Sequence, residues 1–129
     1  MEYVIAVRGA TTVERDTKEE IEYKTCELVN ELIDANALTG ADARCVSVLI
    51  STTKDIHSFY PARAVREQGR IDAPLFSCAE PDIEGALPLC IRVMLTVACR
   101  TERQPRHIYL HGAKTLRPDL CCEKEEERK

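Results

Sequence analysis

Cys90-Ile91-Arg92-Val93-Met94-Leu95-Thr96-Val97-Ala98-Cys99 is the most apolar stretch of the chain, and its reading decides the fold. Valine, isoleucine, leucine and methionine fill both faces of a period-two pattern, the signature of a strand inside a sheet. Working outward, Cys45-Val46-Ser47-Val48-Leu49-Ile50 repeats that character and predicts a second interior strand. Tyr3-Val4-Ile5-Ala6-Val7-Arg8 predicts a strand that enters a turn at Gly9, and Pro74-Leu75-Phe76-Ser77-Cys78 a short one. Arg106-His107-Ile108-Tyr109-Leu110-His111 predicts the last, with Ile108 and Leu110 on one face and Tyr109 between the two His on the other. Ser51 to Asp55 reads as a polar loop.

The helical signals are separate. Thr17-Lys18-Glu19-Glu20 matches a capping box, in which the Thr hydroxyl and Glu carboxylate satisfy amides of the first turn. Ile21, Thr25, Leu28 and Leu32 follow at helical spacing, Val29 and Ile33 widen the stripe, and the helix is expected to stop near Asn36. Pro61-Ala62-Arg63-Ala64-Val65-Arg66-Glu67 predicts a short helix, with Pro in its first turn and Gly69 closing it. The order strand, long helix, strand, short helix and three strands predicts an α+β domain, a mixed five-stranded β-sheet with both helices packed on it. Two helices leave part of the sheet uncovered, a pointer to oligomerisation.

The 129 residues and 14.5 kDa are one domain's worth, enough for a core without metal or disulfide. Hydrophobic residues at 44% and charged residues at 31% argue against disorder. Net charge is −4, which speaks against bulk affinity for nucleic acid, yet 12 of the 18 basic residues are Arg. Arg recognises carboxylate or phosphate through a planar fork, so the excess points to a small anionic ligand. The seven cysteines (26, 45, 78, 90, 99, 121 and 122) are odd in number and lack metal-ligand spacing. With no leader and no apolar run of membrane-spanning length, a reduced, cytoplasmic protein without membrane contact is expected. The run from Glu123 to Lys129 reads as a charged tail with nothing to bury.

Several residues break local rules. Arg92 interrupts the most apolar segment, so it needs a ligand, an internal salt bridge or an escape to solvent at the strand end. Taken singly, Arg8 reads as a surface strand-end residue, Glu80 as an exposed loop carboxylate, Arg63 and Arg66 as one solvated helix face, and Tyr109 as core. The glycines are too scattered for a phosphate loop. The three His have no nucleophile at a recognisable spacing, so neither a metal enzyme nor a covalent hydrolase is expected. What remains is Arg-dominated electrostatics.

Five ordered segments together resemble the monofunctional bacterial chorismate mutases of the trimeric, β-rich class. They are Arg8-Gly9-Ala10-Thr11-Thr12-Val13-Glu14-Arg15-Asp16-Thr17, Phe59-Tyr60-Pro61-Ala62-Arg63-Ala64-Val65-Arg66-Glu67, Cys90-Ile91-Arg92-Val93-Met94, Arg106-His107-Ile108-Tyr109-Leu110 and Leu116-Arg117-Pro118-Asp119-Leu120. The resemblance implies a homotrimer, a pseudo α/β-barrel with interfacial sites, that rearranges chorismate to prephenate in phenylalanine and tyrosine biosynthesis without a cofactor or metal. It implies Arg92 on the breaking ether bond and Arg8 and Tyr109 on substrate carboxylates. Glu80 would accept the ring hydroxyl. Tyr60, Ala62, Arg63 and Arg66 would line the neighbouring mouth of the site, with Phe76 and Ser77 on the substrate and Leu116 and Arg117 closing over it.

Ser77 stands where that family often has Cys, Arg63 where Lys is frequent and Tyr60 where Phe is frequent. The domain is expected to span residues 1–120, with 121–129 as a flexible tail. A second class of function fits the same Arg cluster, a non-catalytic trimeric binding module for a dicarboxylate metabolite. Glu80 separates the two, because holding a dianion needs no carboxylate opposite.

Overall fold

The computed structural model describes residues 2–119. In chain order the elements are β1 (Tyr3–Thr12), α1 (Lys18–Ala35), β2 (Ala43–Thr52), α2 (Pro61–Gln68), β3 (Leu75–Ala79), β4 (Cys90–Cys99) and β5 (Ile108–Tyr109), then a short 3₁₀ helix (His111–Thr115). The tail 121–129, with Cys121 and Cys122, lies outside the described residues. The apolar segment Cys90–Cys99 is β4 from end to end and occupies the middle of a sheet ordered β3-β2-β4-β1-β5. It pairs antiparallel with β1 and β2, whereas β3 and β5 add in parallel at the two edges, so the sheet is mixed as expected.

Local chemistry explains both helices. Thr17 caps α1, its hydroxyl accepting the Glu20 amide at 3.3 Å, while the Glu20 carboxylate turns outward to the Glu14 amide rather than back to Thr17. Ile21, Thr25, Leu28, Val29, Leu32 and Ile33 are all buried, so the predicted stripe is the packed face. The α2 helix begins at Pro61 and ends on Gly69, whose φ of 76° lies in the left-handed region that favours glycine.

The core forms between the α1 stripe and one face of the sheet, from Val7, Val48, Ile50, Ile91, Val93, Leu95 and Val97, with Val65 of α2 beside them. The opposite face carries Val4, Ala6 and Arg8 from β1, Arg92, Met94 and Thr96 from β4, Leu49 and Ser51 from β2, and Phe76 and Cys78 from β3, as pairing and alternation require. Val4 is 70% and Phe76 67% exposed, so this face is open in the single chain.

Three sequence expectations change. Gly9 does not start a turn: β1 continues to Thr12, with Gly9 between Val93 and Ile108. A Cβ there would sit 2.7 Å from the Ile108 carbonyl oxygen and 2.8 Å from Leu28 Cδ1, so glycine permits the close approach of β5 and α1. Ser51 and Thr52 belong to β2 rather than to a loop, because Arg92 and Ile91 pair with them. The last strand shrinks to Ile108–Tyr109, because His111 at φ 53° turns the chain into the 3₁₀ helix. Its imidazole is held at 2.7 Å from Glu27 of α1.

Candidate active site

The open sheet face concentrates charge at one end. Arg8 on β1 and Arg92 on β4 sit in adjacent registers, Arg8 opposite Met94 and Ala10 opposite Arg92, so their side chains rise from the same face. Tyr109 reaches that face because β5 pairs it with Ala10. Arg8, Arg92 and Tyr109 line a cleft of about 260 Å³ together with Leu49, Ser51, Cys78 and Met94. Three side chains from distant parts of the sequence, all able to donate hydrogen bonds to carboxylates, thus converge on one volume.

Arg92 is not buried, contrary to what its apolar neighbours suggest. The side chain is 47% exposed because β4's second face has no layer over it. Its Nε lies 3.1 Å from Glu80 Oε1, so the internal ion pair, one of the alternatives at Arg92, is present. Glu80 in turn is no exposed loop carboxylate: its side chain is only 16% exposed, and its amide donates to the Thr52 carbonyl at 2.9 Å. The Ser51 hydroxyl donates to the same Oε1. Arg92, which lines the cleft, and Glu80, which lines neither this cleft nor the one described next, are therefore held side by side. Beneath them, burial pushes the Cys90 thiol up to about 11, with Glu80 and Asp55 adding to the rise and Arg92 opposing it. Cys90 is a protonated, inert thiol at neutral pH and not a nucleophile.

Tyr60, Arg63 and Ser77 line a second, wider cleft of about 590 Å³ with Thr52, Ser58, Phe59 and Cys78. The two clefts share Ile50 and Cys78 near the β3 edge. Arg63 lies 5.4 Å from the centre of the Phe59 ring and 2.9 Å from Glu67. The loop ahead of α2 is anchored by Asp16, whose Oδ1 accepts the amides of His57 at 3.1 Å and Ser58 at 3.0 Å. Desolvation raises the Asp16 carboxyl, but those amides, together with the Ser58 side chain and the His57 charge, leave the group below its ordinary value.

Ala62, Arg66, Phe76, Leu116 and Arg117 line neither of these two clefts. Ala62 packs on the core, Arg66 is exposed on α2, and Phe76 stands on the open sheet face. Leu116 packs on the small cluster of Ala10, Cys90, Tyr109 and Ala113, and Arg117 pairs with Asp119 at 2.9 Å. Ser51 and Cys78 were not singled out in the sequence. Their signal is the strand register, which sets Ser51 beside Arg92 and Cys78 beside Ser51, and register is invisible until the strands are paired. Among the described residues no cluster of His, Cys, Asp and Glu could hold a metal, and no helix is long and apolar enough to cross a membrane.

Comparison with known proteins gives one consistent answer. Residues 4–120 match the family described as chorismate mutase type I. The chain is 46% identical to chorismate mutase AroH of Bacillus subtilis over 123 residues, 94% of this chain and 95% of that one. It is 39% identical to chorismate mutase AroH of Thermus thermophilus over 118 residues, 91% of this chain and 96% of that one. The solved chorismate mutase from Clostridium thermocellum superposes with a TM-score of 0.76 at 37% identity, covering 86% of this chain and 98% of the other.

Proposed function

The chain belongs to the chorismate mutase type I family and is a chorismate mutase, and from that premise we propose that its active site is shared between subunits of a homotrimer. It rearranges chorismate to prephenate, on the route to phenylalanine and tyrosine. One C–O bond breaks and one C–C bond forms within a single molecule, so no proton has to be moved and no nucleophile is needed. The protein has two tasks: holding the enolpyruvyl side chain over the ring, and stabilising charge that develops as the ether bond breaks ahead of C–C closure.

In this reading Arg8 and Tyr109 bind the substrate carboxylates and fix the reactive pose. Glu80 engages Arg92 through Nε, and the Nη groups of Arg92 form the fork offered to the ether oxygen, where negative charge accumulates. Glu80 accepts the ring hydroxyl and faces the electron-poor ring fragment. The convergence of Arg8, Arg92 and Tyr109 on one cleft, with Glu80 tied to Arg92, is the observation that carries these roles.

The trimer reading rests on the open sheet face and on the division of site residues. Tyr60, Arg63 and Ser77 line the second cleft and not the one formed by Arg8, Arg92 and Tyr109, and Ala62 and Arg66 lie on the same helix as Arg63. In this reading a neighbouring subunit therefore supplies them, with Phe76 of its open sheet face, to the Arg92 cleft. Leu116 and Arg117 close over the site. The catalytic domain is residues 1–120 and the remainder a charged tail. Cys90 and Cys99, buried as thiols in apolar surroundings, support a cytoplasmic location.

Complementation tests the shared site. Arg92→Lys and Arg66→Ala are each expected to be nearly inactive. Refolded together in equal amounts, they should recover about one quarter of wild-type activity, because about three-quarters of random trimers are mixed and each mixed trimer keeps one intact site. Activity that stays at the mean of the two variants, in trimers shown by native mass to have exchanged subunits, overturns the shared site.

A further inference from the structure

The Ser51 hydroxyl stands between the Arg92 cleft and Glu80. Ser51 lies in β2, opposite Arg92 of β4 on one side and Cys78 of β3 on the other, and it lines the cleft. Its hydroxyl donates to Glu80 Oε1, the oxygen that Arg92 Nε also reaches at 3.1 Å. The Glu80 backbone is fixed one residue along the same strand, where its amide donates a hydrogen bond to the Thr52 carbonyl at 2.9 Å. The Ser51 hydroxyl and Arg92 Nε therefore both meet Glu80 at Oε1.

We propose that Ser51 is a positioning residue, which with Arg92 pins Oε1 of Glu80 so that Oε2 is presented to the ring hydroxyl of the substrate. This rests on the role given to Glu80 above. A glutamate has three rotatable bonds, and one ion pair to a half-exposed guanidinium sets a distance without setting the carboxylate plane. A second donor from a different strand removes that freedom. It also separates two demands on Arg92, which must turn its fork to the ether oxygen. With Ser51 rooted in a paired strand, Glu80 stays in place when the guanidinium adjusts. The serine hydroxyl supplies no charge and touches no reacting atom, so its whole effect passes through Glu80.

The test is a double-mutant cycle on purified protein, with kcat and KM for chorismate as readouts. Ser51→Ala is expected to lower kcat about tenfold, the worth of one hydrogen bond to a charged group, with KM within about twofold. Ser51→Thr, which keeps the hydroxyl on a β-branched residue suited to a strand, is expected to stay within about threefold of wild type. In a Glu80→Gln background, Ser51→Ala should cost nothing further, whereas a merely structural serine would lose the same factor again. A wild-type kcat for Ser51→Ala beside an impaired Glu80→Gln overturns the proposal alone. A wild-type kcat for Glu80→Gln overturns both the proposal and the Glu80 assignment beneath it. Should Ser51→Ala not fold, Ser51→Cys replaces it: a weak thiol donor is expected to give an intermediate kcat, and an unchanged one overturns the proposal.

Discussion

Arg92→Lys is expected to lower kcat/KM for chorismate by about two to three orders of magnitude while the variant folds and assembles as wild type does. Lysine keeps the positive charge, and Arg92 sits on the open sheet face, half exposed, so the core does not depend on it. What disappears is the planar fork. A single ammonium cannot meet Glu80 on one side and present two aligned donors to the ether oxygen and a carboxylate on the other. Charge on that oxygen is larger in the transition state than in chorismate, so the loss should fall mainly on kcat. Steady-state kinetics of the two proteins, with circular dichroism to establish folding, measures it. A kcat within about threefold of wild type would remove Arg92 from the role assigned to it.

Leu28→Ala is expected to destabilise the fold by about 3–5 kcal/mol, the upper part of the range for a leucine cut to alanine in a core that cannot collapse. Leu28 is fully buried on the face of α1 turned to the sheet, and its Cδ1 fills the space over Gly9, 2.8 Å from where a Cβ would stand. Gly9 is held between β4 and β5 and has no side chain to move into the void. Urea unfolding at fixed protomer concentration reads the change as a lowered midpoint. Because Gly9 adjoins Arg8 and pairs with Ile108, the residue before Tyr109, some activity should be lost below the new midpoint too. A shift under about 1 kcal/mol would mean that the α1 stripe is not the chief support of the site strands.

Elements fixed by local chemistry were legible in the sequence. β4 runs from Cys90 to Cys99 as its apolar pattern predicts, α2 starts at Pro61 and ends at Gly69, and all six stripe residues of α1 are buried. Elements fixed by distant contacts were not. Gly9 reads as a turn because its reason for being glycine, the approach of Ile108 and Leu28, is tertiary. The readings of Arg92, a ligand contact, an internal salt bridge or an escape to solvent, stay open because sequence alone does not show that β4 is covered on one face only. The site follows the same division. Arg8 and Tyr109 have no motif spacing between them, and it was the family resemblance that joined them to Arg92 before the sheet brought all three to one cleft. The bland readings of Arg8, Glu80 and Tyr109 taken singly miss this, because convergence is a property of the paired strands. Ser51 reads only as part of a polar loop, since a serine at a strand end carries no signal until its neighbour across the ladder is known to be Arg92.

The most direct measurement is turnover itself. Purified protein incubated with chorismate, with no added cofactor and with a metal chelator present, is expected to consume chorismate and release prephenate in equal amounts. A folded protein that binds chorismate and leaves it unchanged would contradict a rearrangement driven by positioning and by the Arg92 and Glu80 pair.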